Sequence, residues 1–104
     1  MKISYRSRKM QKILEDEKKL VNKYGYKQAI KITQRINELE AAMTLNDIQN
    51  IKAAGLHCLS GKYKNSYAIK VINPYRIRFT ADNGMKEDMN SITEITVIEI
   101  IDYH

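Results

Sequence analysis

The second half of the chain carries a small group of arginine, histidine and aspartate residues whose types and spacing suit phosphate chemistry. Arg76 and Arg78 alternate with apolar residues in YRIRFT, which predicts a β-strand with both arginines on one face. The final residues read IIDYH, so Asp102 and His104 share a face of a second predicted strand and Tyr103 takes the other. If these strands pair, a carboxylate and an imidazole can lie beside the arginines.

This group suits cleavage of a phosphodiester bond. A histidine titrates near neutral pH and can transfer protons, and the planar fork of an arginine can hold a phosphate and stabilise developing charge. His57 lies just before the predicted hairpin and can reach the same surface. RNA supplies its own nucleophile, the 2′-hydroxyl, so neither a protein nucleophile nor a metal is required. We predict no metal site and no cofactor, and the sequence contains none of the common phosphate-loop or zinc-hydrolase motifs.

Each of these residues also has an ordinary structural interpretation. A histidine beside Cys58 in an apolar stretch is often partly buried with its hydrogen bonds satisfied. Arginines on a strand commonly face solvent or form ion pairs, and residues at a chain end commonly fray. The spacing alone therefore leaves both the catalytic and the structural interpretation open.

The distribution of charge favours a polyanionic partner. The net charge is +6, and no acidic residue occurs between Asp47 and Asp82. The cations in this acid-free segment are Lys52, Lys62, Lys64, Lys70, Arg76 and Arg78. A segment of this kind attracts RNA or DNA, although a solvated cationic surface that only aids solubility has the same composition.

Length and composition predict one cytoplasmic domain, residues 1–104, that has no contact with a membrane. Hydrophobic residues make up 43% of the 104 residues and charged residues 29%, which is typical of a globular chain. The sequence has no apolar run near the ~20 residues that cross a bilayer, and MKISYRSRKM lacks the apolar core of a signal peptide. The single cysteine, Cys58, fits a reducing compartment.

Helices are predicted mainly in the first half of the chain. KISY predicts a short first strand, and an apolar stripe then predicts one helix from Ser7 to Gly25. A seam from Ala29 to Met43 predicts a second helix, with Arg35 largely off the seam. A third, shorter helical segment is predicted from Leu45 to Ala54, with Thr44 or Asn46 as its N-cap.

Strands are predicted in the second half, in the segments 56–61, 65–72, 75–80 and 92–103, with a polar loop at 81–91. Grouped helices followed by antiparallel strands predict an α+β fold, in which an N-terminal helical hairpin packs on a small, mainly antiparallel sheet. The other face of the sheet is then free to carry the function.

The stretch GLHCLSGKYKNSYAIKVINPYRIRFTADNG and the final IIDYH resemble the HigB-type toxins of the RelE/ParE superfamily, the toxic halves of bacterial type II toxin–antitoxin systems. Such toxins commonly carry a leucine-histidine-proline-leucine-lysine-glycine segment, an arginine-bearing strand and a final aspartate-tyrosine-histidine. The resemblance covers residues 55–80 and 98–104 and implies the RelE-like microbial ribonuclease fold.

The resemblance implies a ribosome-dependent endoribonuclease, an mRNA interferase that cuts mRNA in the ribosomal A site. The positions that match the family's active residues are His57, Arg76, Asp102, Tyr103 and His104. By this comparison Arg76 holds the scissile phosphate, and the histidines and Asp102 share the proton transfers. Positions implied to face ribosomal RNA are Lys62, Lys64 and Arg78.

The resemblance also implies partners, and it leaves two alternatives open. The expected partners are the ribosome, mRNA and a cognate acidic antitoxin of the HigA-like helix-turn-helix type. Cys58 stands where proline is common in the family, Ser60 where lysine is common and Tyr75 where tryptophan is common. The alternatives are a non-catalytic ParE-like toxin that poisons DNA gyrase, a branch that generally lacks the final aspartate-tyrosine-histidine, and a plain RNA-binding module.

Overall fold

The chain folds as helices packed on one five-stranded sheet, which confirms the predicted α+β class. The computed structural model describes residues 1–102, so Tyr103 and His104 lie outside the described residues. The strands are β1 (Lys2–Tyr5), β2 (His57–Cys58), β3 (Ser66–Lys70), β4 (Tyr75–Ala81) and β5 (Glu94–Asp102). Their order is β1-β5-β4-β3-β2, and among these described strands only β1 and β5 pair in parallel.

The predicted single helix from Ser7 to Gly25 is wrong, because this segment forms two helices. The α-helices are α1 (Arg8–Leu14), α2 (Glu17–Tyr24), α3 (Tyr26–Ala41) and α4 (Leu45–Gln49). Asp16 has an extended backbone, and its carboxylate accepts a hydrogen bond of 3.1 Å from the backbone N–H of Lys19. Asp16 is therefore the N-cap of a new helix and interrupts the first one. Within residues 1–102, no helix is long and apolar enough to span a membrane.

Two other predicted elements are shorter than expected. The helical segment predicted from Leu45 to Ala54 is α4 followed by a separate 3-10 turn, Lys52–Ala54. Of the two predicted N-caps, Thr44 and Asn46, the structure has Thr44. The strand predicted at 56–61 is only the two residues of β2, because the chain turns into a second 3-10 segment, Gly61–Tyr63. A third 3-10 turn, Met89–Ser91, lies in the loop before β5.

The hydrophobic core lies between the helices and one face of the sheet. Ile77 and Phe79 of β4 and Val97 of β5 are fully buried, as are Ile32 and Leu39 of α3. Alternate residues of each strand point to opposite faces, so the residues between these core positions point away from the helices. This arrangement provides the second sheet face that the sequence predicted.

Two buried polar side chains of α3 hold the segments that flank the second sheet face. The amide of Gln28 donates to the carbonyl of Ile72 at 3.0 Å and accepts from its N–H at 2.9 Å. Arg35 donates from Nε to the carbonyl of Lys70 at 2.7 Å and from Nη2 to the carbonyl of Ala53 at 3.0 Å. One helix thus fixes both the β3–β4 hairpin and the segment that leads into β2.

Tyr5, Tyr24 and Tyr67 have pKa values raised above the ordinary value of 10.0, in each case mainly by burial. The folded state therefore keeps these phenolic protons more firmly than the unfolded chain does. The contribution is fully present below the ordinary pKa, so we expect the free energy of unfolding to fall as the pH rises above about 10. Tyrosinate absorbance should show a late-titrating group that moves to the ordinary value in denaturant. A single transition at the ordinary value in the folded protein would contradict this prediction.

Candidate active site on the second sheet face

Arg76 and Arg78 lie on the sheet face opposite the core, as the sequence predicted. Residues directly opposite each other in neighbouring strands share a face, and Arg76 pairs with Lys70 on β3 while Arg78 pairs with Ala68. On the β5 side, Arg78 pairs with Glu99. Lys70 therefore lies on the arginine face as well. The sequence could have shown this, because Lys70 is two residues after Ala68 on β3 and alternate residues of a strand share a face.

His57 lies on the same face, at the edge of the sheet. It pairs with Ala68, which pairs in turn with Arg78, so the three residues form one row across the strands. The backbones of His57 and Arg78 are two strand spacings apart, roughly 9.5 Å. The imidazole is exposed, and its Nδ1 lies 3.2 Å from the carbonyl oxygen of Gly55. A strand of nucleic acid placed across the face can therefore contact both side chains.

Arg78 is held by other side chains of the protein. Its Nε donates to Oε2 of Glu99 at 2.7 Å, its Nη2 lies 2.6 Å from the same oxygen, and its Nη1 donates to Oγ of Ser66 at 2.8 Å. The guanidinium also lies 4.9 Å from the ring centroid of Tyr63. Glu99 and Tyr63 were not among the predicted site residues. Their contacts fix Arg78 in place and offset its charge, so it is a less available phosphate ligand than Arg76.

Arg76 combines a fixed position with an unsatisfied donor. Its Nη1 donates to Oδ1 of Asn73 at 3.1 Å and to the carbonyl of Tyr75 at 2.9 Å. Among the described residues, its Nε is buried and has no hydrogen-bond acceptor. A buried donor without an acceptor costs free energy, and the planar fork of a guanidinium is suited to hold a phosphate. Arg76 is therefore the described cation best suited to hold a phosphate on this face.

Lysines surround the two arginines. Lys62 and Lys64 are exposed on and just after the 3-10 segment Gly61–Tyr63, and Nζ of Lys62 lies 5.0 Å from the ring centroid of Tyr63. The side chain of Lys70 lies close over Gly55, where an added Cβ would come within 2.8 Å of its Cε. These residues give the arginine face a cationic border that suits a polyanion.

Asp102 does not share a face with Arg76, contrary to the sequence prediction. It pairs with Tyr75, whereas Arg76 pairs with Ile101. The cause is a β-bulge in β5, where the pairing passes from Phe79–Val97 to Arg78–Glu99 and leaves Ile98 as an extra residue. One extra residue reverses the facing of every side chain after it, which brings Glu99 to Arg78 and turns Asp102 to the core side. The predicted positions of Tyr103 and His104 lie outside the described residues.

Cys58 follows His57 and leaves β2 on the opposite face. It pairs with Tyr67, whose ring is buried against the core and lies 5.7 Å from the ring of Phe79 between centroids. In the part of the chain that the structure describes, no three His, Cys, Asp or Glu side chains are grouped so that they could hold a metal ion. The absence of a metal from the reaction stays a prediction from the sequence.

Comparison with known proteins shows the family of the chain. Residues 3–91, which include His57 and Arg76, match the sequence model of the RelE-like HigB toxins of type II toxin–antitoxin systems. The fold is similar to the YoeB-YefM complex from Staphylococcus aureus, with a TM-score of 0.57, 16% identity and coverage of 100% of this chain and 97% of that one. It is also similar to the YoeB/ParE toxin from Agrobacterium tumefaciens, with a TM-score of 0.56, 12% identity and full coverage of both chains. No curated protein sequence matches at a significant level. The chain therefore belongs to the HigB-like, RelE-like toxins of type II toxin–antitoxin systems.

Proposed function

We propose that this toxin is a ribosome-dependent endoribonuclease that cuts mRNA in the ribosomal A site. The observation that carries the proposal is Arg76, which is fixed on the cationic sheet face and whose Nε has no acceptor among the described residues. In the proposed reaction the 2′-hydroxyl oxygen attacks the adjacent phosphorus and loses its proton to a base. The bond from phosphorus to the 5′ oxygen breaks, and this oxygen receives a proton from an acid. The products are a 2′,3′-cyclic phosphate and a 5′-hydroxyl.

The roles follow the geometry of the face and the resemblance to the family. Arg76 holds the scissile phosphate and stabilises the charge that develops on its oxygens. By the resemblance to the family, His57 and His104 share the proton transfers, and Tyr103 adjoins them. Asp102 takes no role in this scheme, because it pairs with Tyr75 on the opposite face from Arg76. Phosphates of ribosomal RNA meet the surrounding cations, Lys62, Lys64 and Arg78, together with Lys70. Neither a metal nor a cofactor takes part in this scheme.

The ribosome supplies what this small surface lacks. A few side chains on an open sheet face cannot by themselves hold an RNA strand with its 2′-hydroxyl in line for attack. A ribosome presents mRNA in a fixed conformation and surrounds it with phosphates that attract a protein of net charge +6. The proposed place of action is therefore the cytoplasm.

The proposed inhibitor is a cognate antitoxin, acidic overall and of the HigA-like helix-turn-helix type. The similarity to a YoeB-YefM complex supports a protein partner for this toxin. A positively charged toxin favours a partner of opposite net charge, because such charges increase the rate of association.

The test is cleavage of a defined mRNA by purified toxin, with and without translating ribosomes. We expect cleavage only when translating ribosomes are present. The new 5′ ends of the fragments should be hydroxyls, which a kinase can label directly. An mRNA with a 2′-O-methyl group at the cut nucleotide should stay intact at that position. Equal cutting of naked RNA, or fragments with 5′-phosphates, would contradict the proposal.

Poisoning of DNA gyrase is a second candidate function, favoured by the similarity to the YoeB/ParE toxin. The same purified protein separates the two functions. Accumulation of cleaved DNA in a gyrase reaction, with intact mRNA in the translation reaction, would assign the toxin to the gyrase-poisoning branch.

A further inference from the structure

A groove of about 510 Å³ lies among α1, α2 and α3 and is separate from the proposed nuclease site. Its lining comes from the end of α1, from α2 and from one side of α3. Buried Leu14, Ala29 and Ile36 contribute apolar surface to the groove. Tyr26 and Ile30, which also line it, are 64% and 52% exposed. Large apolar side chains exposed together at a groove are typical of a binding surface for another protein.

The α3 side of the groove has the periodicity and length of a helix-binding surface. The lining residues of α3 recur every three or four positions and are Tyr26, Ala29, Ile30, Thr33, Ile36, Asn37 and Glu40. They span fourteen steps, or about 21 Å at 1.5 Å per residue. A helix of about four turns can therefore lie along α3 and place apolar side chains into the groove.

The charged residues that line the groove are all acidic. They are Glu15, Glu17 and Glu40, although the chain has 18 lysines and arginines and only 12 acidic residues. Glu15 and Glu40 both raise the pKa of Tyr5, after burial, which has the larger effect. The carboxylates of Glu15, which follows α1, and of Glu40 on α3 therefore both lie near Tyr5. The charged side chains that line the groove of this basic protein thus carry negative charge only.

We propose that this groove binds an amphipathic helix of the antitoxin, with apolar residues at helical spacing along one face and lysines or arginines beside them. The apolar face fills the groove and the cations meet the three glutamates. An antitoxin that is acidic overall can carry one such basic segment. The preference for a basic helix comes from the groove itself, and only the choice of the antitoxin as its source rests on the proposed function.

The location of the groove also determines what the bound helix leaves free. The residues of α3 that line the groove do not include Gln28 and Arg35, whose side chains hold the hairpin of the proposed nuclease site. Arg76 and His57 are not part of its lining. A helix in the groove therefore anchors the antitoxin without contacting the arginine face.

The experiment uses two fluorescent peptides that form the same amphipathic helix, one with lysines and one with glutamates beside a leucine stripe. We expect the lysine peptide to bind the toxin about ten-fold or more tightly than the glutamate peptide, by fluorescence anisotropy. The triple variant Glu15→Lys, Glu17→Lys, Glu40→Lys should reverse this preference. Ile30→Asp should weaken the binding of both peptides. Met43→Asp is the matched control, because Met43 is 79% exposed and does not line the groove.

Four results would overturn the proposal. Equal binding of the two peptides, or binding that Ile30→Asp leaves unchanged, would show that the groove is not the site. Self-association of the toxin that Ile30→Asp abolishes would assign the groove to a second copy of the chain. In cells, the triple variant should escape neutralisation by the protein encoded beside the toxin, and continued neutralisation would remove the antitoxin as the source of the helix. The binding assay measures no RNA cleavage, so its failure leaves the proposed nuclease untouched.

Discussion

Replacing Arg76 with alanine is expected to lower ribosome-dependent mRNA cleavage about 10²–10³-fold, which is the usual effect of removing a group that stabilises transition-state charge. The free energy of unfolding should change by no more than about 1 kcal/mol, because the described partners of Arg76 are the neighbouring Asn73 and Tyr75. The measurements are primer extension on a translated mRNA and urea unfolding. Arg76→Lys should recover only part of the rate, since lysine keeps the charge and loses the planar fork.

Arg78→Ala is the matched control for this prediction. The two arginines share one strand and one face, but Arg78 is tied to Glu99, Ser66 and Tyr63. Its removal should lower the stability more than the removal of Arg76 does, and it should lower cleavage less in the fraction that stays folded. Wild-type cleavage by the Arg76→Ala toxin would remove Arg76 from the proposed site.

Replacing Arg35 with alanine is expected to lower the free energy of unfolding by about 3 kcal/mol. Arg35 is only 3% exposed, and its guanidinium satisfies the carbonyls of Lys70 and Ala53 and pairs with Glu38 at 2.9 Å. Alanine would leave these acceptors without their donor and would open a cavity between α3 and the sheet. Urea unfolding measures the loss directly.

Gln34→Ala is the control for this substitution. Gln34 precedes Arg35 on the same helix, and it is exposed, with hydrogen bonds only to surface side chains among those described. Its replacement should change the stability by less than about 0.5 kcal/mol. Arg35→Lys should fall between the two, because one ammonium cannot reach all the acceptors of the fork. Equal stability of Arg35→Ala and Gln34→Ala would show that the buried arginine contributes little.

Periodicity in the sequence was enough to predict the arginine face, and local hydrogen bonding was enough to break the predicted first helix. Strict alternation around Ile77 and Phe79 placed Arg76 and Arg78 correctly, because a buried face fixes the facing of a strand. The prediction of one continuous first helix is wrong at Asp16, because an aspartate can either continue a helix or cap the next one.

The tertiary features of the site could not be predicted from periodicity. The bulge at Ile98 follows from pairing with β4, and it alone decides that Glu99 meets Arg78 and that Asp102 does not share that face. Arg35 was placed largely off the apolar seam of its helix, yet it is buried, because carbonyls from two distant segments supply its partners. Such partners are visible only once the chain is folded.

The parallel pairing of β1 with β5 affects how this toxin folds during synthesis. Lys2 lies opposite Glu94, so the first strand finds its neighbour only when the last strand has been made. Until then β1 is an unpaired edge, and pairings of such long sequence separation form slowly. We expect the sheet to stay incomplete until β5, which pairs with both β1 and β4, has been synthesised. Between the start of synthesis and completion of the sheet, the cell then contains a toxin chain that is not yet folded.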